Sequence, residues 1–347
     1  MTSSLTVALA ALGGVVLAGV VAHGAWQARK AGPRRAAVAL PRSEPHEPTL
    51  ETVPGTSSES PAAGLEPPRV AKRAVARLDA LIDAIAPLAL EAPVSGEMVL
   101  MHLPPTRRAG SKPFIIEGLN AENGEWEAAA PGQRYSEFQA GVQLANRTGA
   151  LNEIEYSEFV QKVETFAEAI GARADVPDML DVVARARELD AFAGEHDAQL
   201  AVHLQARSAA WSVGYIQQHA ARHGFVPGVV PGRLVLPSTE EGAPPVLTLT
   251  FDSQAALADD PHRAAVRDVT LSFDVPQTDP KAEPFVAWQA SAQALSLGMD
   301  AGIVDDNARA LSPEGFAAIG KELEQLYRTL ESRDLAAGSA AARRLFS

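Results

Sequence analysis

The sequence predicts an α+β protein carried behind a single membrane-spanning helix and a proline-rich linker. Three observations predict it. Leu5 to Ala22 is an unbroken run of apolar and small residues without a charge or a proline. Residues 31–68 hold eight prolines and no hydrophobic periodicity. From about residue 70, short segments that alternate with period two interchange with longer segments of helical spacing.

The apolar run continues through His23, Gly24 and Ala25 to Trp26, so the expected transmembrane helix is 5–26. At ~1.5 Å rise per residue, ~20 residues span the ~30 Å hydrocarbon layer. Arg29, Lys30, Arg34 and Arg35 follow at once. Lys and Arg mark the cytoplasmic side, so residues 1–4 are expected outside and the rest of the chain inside. A secretory signal would carry its basic residues before the apolar core and a cleavage site after it. Met1 to Ser4 has no charged side chain, which favours an uncleaved anchor. Ala10, Gly14 and Ala18 recur every fourth residue, a small-residue face that another helix can approach.

Residues 27–69 are the expected linker: the basic flank, then Pro33, Pro41, Pro45, Pro48, Pro54, Pro61, Pro67 and Pro68 around Gly55 to Ser60. Such a stretch buries too little apolar surface to offset chain entropy. As a disordered tether it spans roughly 35 Å.

Composition excludes several partner classes. The chain carries 30 basic and 43 acidic residues, a net charge of −13, which argues against nucleic acid. The juxtamembrane basic residues suit anionic inner-leaflet lipid instead. Cysteine is absent, which excludes disulfides and Cys-based metal centres.

Within 70–195, Val75, Leu78, Leu81, Ile82 and Ile85 predict a helix that Pro87 ends, with Leu88 to Leu90 as a strand. Ser95 is placed to cap a helix before Met98. Phe114 to Ile116 and Phe138 to Leu144 read as strands. Tyr156, Phe159, Val160, Val163, Phe166 and Ile170 form a helical stripe closed by Gly171, and a further helix is expected over 176–189.

In 196–334 the order returns. His196-Asp197 opens a strand in which Leu200, Val202 and Leu204 alternate, and Ser208 is expected to cap a helix reaching His223. Strands follow at 233–236, 246–251 and 269–275, then a helix over 281–297 with Gly298 as its stop. A short strand at 302–306 precedes a last helix that Ser312 caps and Pro313 opens. Its stripe is Phe316, Ile319, Leu323, Leu326, Tyr327 and Leu330, and 335–347 is expected to be a flexible tail. Phe159-Val160 with Gly171, and Phe285-Val286 with Gly298, each follow a period-two strand and precede another helix. This predicts a degenerate tandem of one unit, each a mainly antiparallel sheet with two longer helices on one face.

No P-loop, GxGxxG after a strand, GxSxG or HExxH motif occurs. His219 and His223 stand four apart, but at a helix end with no acidic partner between them. Asp259-Asp260 and Asp305-Asp306 fit turns and caps. Trp211 and Trp288 are expected on amphipathic helices, at core or edge positions. The expectation is a non-enzyme, with no catalytic, cofactor-binding or metal-binding residue.

The order of parts resembles the ZipA family of bacterial cell-division proteins over about 196–334. The carrying stretches are VTLSFDVP at 269–276, EPFVAWQASAQALSLGMDAGIVDD at 283–306 and SPEGFAAIGKELEQL at 312–326. The resemblance implies a periplasmic N-terminus, a bacterial inner-membrane anchor and a cytoplasmic domain with helices on one face of an antiparallel sheet. The other face implies a groove for the FtsZ C-terminal tail, lined by Ala201, Val230, Gly232, Thr250, Asp252, Thr270, Ser272 and Asp274. That set is small and polar. Either the groove is shallow, or region 70–195 supplies the contact. The remaining readings are an anchored scaffold for another envelope complex and an enzyme at the cytoplasmic face. Self-association is not legible in the sequence.

Overall fold

Two separate antiparallel sheets follow one another along the chain, and both are laid down in the same order. The computed structural model describes residues 77–258, 260 and 264–347. The expected transmembrane helix, its basic flank and the linker lie outside the described residues. Among the described residues no helix is long and apolar enough to cross a membrane.

Unit 1 runs β1 (Asp83–Ser95), α1 (Gly96–His102), β2 (Arg108–Ala109), β3 (Lys112–Asn120), β4 (Arg134–Gln143), α2 (Glu153–Ile170), β5 (Ala172–Ala174) and α3 (Met179–His196). Unit 2 runs β6 (Gln199–Ala206), α4 (Val213–Ala221), β7 (Arg233–Leu236), β8 (Leu247–Thr250), β9 (Asp268–Asp274), α5 (Pro284–Met299), β10 (Ala301–Val304) and α6 (Pro313–Glu331). The strands order as β2-β3-β4-β1-β5 and as β7-β8-β9-β6-β10. The two orders are the same permutation, with a further short strand on each sheet, so the tandem expected from sequence is present in the topology.

Period two decides which face each strand buries. In unit 2, Val202, Leu204, Leu247, Leu249, Val269, Leu271 and Phe273 pack under Ile216, Trp288, Leu295, Phe316 and Leu323 of the helices. Trp288 is the centre, with the rings of Phe273, Phe285 and Phe316 at 5.5–6.0 Å and its indole N–H donating to Leu271 O at 2.9 Å. In unit 1, Ala84, Ala86, Leu88, Phe114, Phe138, Ala140 and Val142 pack under Phe159, Val163, Phe166 and Val182.

Several expectations are corrected. Over 80–85 there is a turn and then strand, not a helix; Ile82, Ala84, Ala86 and Leu88 are buried at every second position. Pro87 is tolerated because its carbonyl accepts from Asp175 N. Its imide nitrogen therefore faces the side of the short strand β5 and removes no bond to β4. Helix α3 runs on through His196, whose ring stacks on Phe192 at 4.2 Å, and β6 begins only at Gln199. Ser208 is not the cap of α4; its hydroxyl donates to Asp300 at 2.8 Å. The segment to Trp211 forms an antiparallel bridge to Val266, and Ser212 is the cap of α4, accepting from Tyr215 N. Gly298 lies inside α5, where a Cβ would sit 2.9 Å from His219 Nδ1, so it serves close helix approach. The stop is Asp300, in the left-handed region at φ 56°, as Gly171 is after α2 at φ 70°. Ser95, Gly171 and Ser312 terminate helices as expected.

The expected flexible tail instead contains α7 (Ala340–Leu345) and closes the seam between the units. Ile82, Ala145, Ala193, Leu330, Leu335, Ala342, Leu345 and Phe346 form one cluster. Arg344 grips the fully buried Asp83 carboxylate at 2.6 and 2.8 Å, and its carbonyl accepts from Gln143 at 2.7 Å. On the other side of the seam, Gln277 donates to Phe346 O.

Candidate functional site

Helices cover one face of each sheet and leave the other as the candidate site. In unit 2 that face carries two cross-strand rows, fixed by register. One row is Ala201–Ser272–Thr248–Val235, and the next is Val304–His203–Thr270–Thr250–Arg233. The rows are short and polar because β6, β8 and β9 alternate Ala, His, Ser and Thr with their core residues.

The expected site residues divide into three sets. Ala201, Thr250, Thr270 and Ser272 are brought together on this face as anticipated. Ser272 is only 6% exposed, so it is part of the floor and not an open position. Asp274 shares the face but is already engaged: Arg147 of unit 1 holds it at 2.6 Å and Asp197 at 2.8 Å. Burial pushes the Asp274 carboxyl up, and Arg147 draws it back only in part. Val230, Gly232 and Asp252 belong to turns at the sheet edge. Val230 O accepts from Arg233 N, Gly232 takes φ 77° against Phe251 O, and Asp252 caps the single turn Ser253–Ala256.

Sequence reasoning missed His203, which shares the period of Ala201 and Gln205. Its Nδ1 meets Asp268 and Thr270 at 3.2 Å, and its Nε2 meets Asp306 at 3.0 Å. Burial pulls its pKa down, but the two carboxylates outweigh this and hold it above the ordinary histidine value. The imidazole ties the turn after β10 to the sheet face. Arg147 was missed too. Its hairpin, Ala145–Asn146 with Gly149–Ala150, is fixed from below by buried Lys112, which donates to Asn146, Thr148 and Gly149 O at 2.6–3.1 Å. Burial lowers the Lys112 pKa, and Glu155 counters it.

The corresponding face of unit 1 is different. Its rows are Ile85–Gly141–Ile115, Pro87–Gln139–Glu117 and Ala89–Glu137–Leu119. Leu78 of the entering chain lies on Gly141, and its N–H donates to Glu117 Oε1 at 3.3 Å. Glu117 also accepts from Gln139 at 3.0 Å and is 2% exposed.

Among the described residues no group of three His, Cys, Asp or Glu side chains is arranged to hold a metal ion. His219 packs on Tyr215 at 4.3 Å and against Gly298, while His223 lies beyond the helix end. The uncovered face of each sheet presents mostly half-buried rows at β spacing, with Ser272, Glu117 and Gly141 buried among them. No family model matches the sequence, and no curated protein is detectably similar to it.

Proposed function

We propose that this chain is a membrane-anchored cell-division protein that tethers FtsZ to the bacterial inner membrane and supports septum assembly. The observation that carries the reading is the bare face of unit 2, an antiparallel sheet with all its long helices on the other side. The resemblance over 196–334 implies this architecture, and the anchor and tether read from the sequence accompany it. An amphipathic tail would lay its apolar side along Ala201, Thr248 and Thr250, over a shallow floor of Ser272 and Thr270.

The test is calorimetry of the full chain in detergent with the FtsZ C-terminal peptide. Thr250→Leu is expected to tighten binding by adding apolar contact area, and Thr250→Asp to weaken it. Equal affinity for all three would place binding elsewhere. A reporter active only in the periplasm, fused after Ser347, is expected to be silent, because the division reading needs the domains inside.

One observation favours a second reading, an anchored scaffold for another envelope complex. The rows of unit 2 are polar, and His203 sits between two carboxylates, chemistry that suits a basic or polar partner strand better than an apolar helix. Capture of the chain by a partner from a lysate depleted of FtsZ, undisplaced by the tail peptide, would support that reading over the first.

A further inference from the structure

We propose that the bare face of unit 1 is a peptide-docking groove which the chain itself holds shut with Leu78. The partner it fits is a peptide presenting a leucine-sized side chain beside a free main-chain N–H or a cation. This stands apart from the FtsZ reading, which concerns unit 2.

Three features make the site. The first is a socket. Gly141 sits in the row between Ile85 and Ile115, and a Cβ there would meet Leu78 Cδ2 at 2.4 Å. Gly141 is not among the positive-φ glycines, so its backbone does not require glycine; the missing side chain makes room. The second is an acceptor. Glu117 is a buried carboxylate whose bonds among the described residues come from Gln139 and from the main chain of Leu78. A ligand N–H or ammonium group replaces the Leu78 N–H without loss. The third is the manner of occupation. Leu78 is half-buried and Arg77 exposed, and neither is part of a strand or helix. Among the described residues the further main-chain tie of residues 77–78 is Arg344 Nη1 on Arg77 O at 3.1 Å. Leu78 is thus held as a short ligand is held, by one knob and two hydrogen bonds, at the high effective concentration of a linked segment. A partner peptide competes with it, and its binding releases residues 77–78.

The probe is a fluorophore-labelled peptide of residues 72–80, titrated into the full chain in detergent. Leu78→Ser empties the socket. The peptide is expected to bind this variant about tenfold or more tightly than wild type, the worth of one buried leucine. Adding Gly141→Leu to Leu78→Ser fills the socket and abolishes that binding. Because the atom it would strike is the end of a flexible side chain, Gly141→Leu alone should fold and simply eject Leu78. A second measurement guards against a misfolded variant. The chain has no cysteine, so Arg77→Cys takes a single fluorophore, whose anisotropy should fall in Gly141→Leu and also when the peptide saturates the otherwise wild-type protein. Equal peptide affinity for wild type, Leu78→Ser and the double variant overturns the proposal. So does absence of binding to Leu78→Ser, or an Arg77 label unmoved by Gly141→Leu. The FtsZ tail serves as the separate arm. If it binds wild type and Gly141→Leu equally, the function above stands without this groove. If it binds neither while peptide 72–80 behaves as expected, the groove stands and the FtsZ reading falls.

Discussion

Across the uncovered face of unit 1 the residues run Ile85–Gly141–Ile115; across that of unit 2 they run Ala201–Ser272–Thr248. Strand order and helix placement are the same in both. One face has an apolar row with a gap at Gly141 that Leu78 fills, and the other is small, polar and cross-linked by His203. The buried faces, by contrast, use similar means, an aromatic cluster under two long helices. Two sheets of one strand order therefore keep what folding demands and vary what folding leaves free, because bare-face side chains contribute little to the core. The seam adds a second contrast: unit 1 offers Asp83, Gln143 and Arg147 to partners from unit 2 and α7, so neither sheet is finished alone.

The comparison is tested most severely in the two cores. Phe138→Ala in unit 1 and Phe273→Ala in unit 2 should each cost ~3–5 kcal/mol through a cavity. If the seam makes one cooperative body, each variant lowers a single calorimetric transition; two separable transitions would mean the units melt independently.

Next comes the clasp. Arg344→Ala leaves the Asp83 carboxylate buried without its partner and should cost ~3 kcal/mol by denaturant titration. Arg147→Ala loses the bridges to Asp197 and Asp274, whose three side chains are 23–35% exposed, and should cost ~1 kcal/mol. A larger loss for Arg147 than for Arg344 would reverse the ranking of the two contacts.

Two tyrosines sharpen the contrast further. Tyr156 in α2 donates to Pro177 O at 2.6 Å, whereas the Tyr327 hydroxyl in α6 is buried without a partner among the described residues. Tyr156→Phe should therefore destabilise by ~1 kcal/mol, and Tyr327→Phe should be neutral or stabilising. Equal losses would show that Tyr327 is hydrogen-bonded in solution.

The smallest effect is a pH dependence confined to unit 2. The folded state holds His203 above its unfolded pKa, so its contribution is full below the ordinary histidine value and is lost as pH rises through the folded value. An imidazole NMR titration should show a midpoint above ~6.5, moved downward by Asp306→Asn. A midpoint at or below ~6.5 would remove the ion-pair description of that turn.

What was legible in the sequence follows from where periodicity is strong. The helices over Glu153–Ile170 and Pro313–Glu331 have wide apolar stripes and their own caps, and both were readable to within a few residues. The strand at Asp83–Ser95 was not, since Leu81, Ile82 and Ile85 fit helical spacing as well as β spacing, and Pro87 looked like a stop. The period of β9 puts Thr270 and Ser272, both expected groove residues, on the bare face, and it leaves Leu271 and Phe273 to the core. It could not reveal that Asp274 is held by Arg147, a hairpin residue far off in sequence, nor that α7 is a seam. Those depend on tertiary neighbours that a local pattern does not encode.

The contact between Gln143 and the Arg344 carbonyl joins residues 201 positions apart. During synthesis at ~5–20 residues per second, unit 1 emerges roughly 10–40 seconds before its last neighbour exists. Through that interval Ile82 and Asp83 have no Phe346 or Arg344 over them. The nascent chain therefore carries an uncovered patch for the whole time unit 2 is being made. That patch is covered only once α7 docks, and a chain terminated before Ala340 would keep it uncovered.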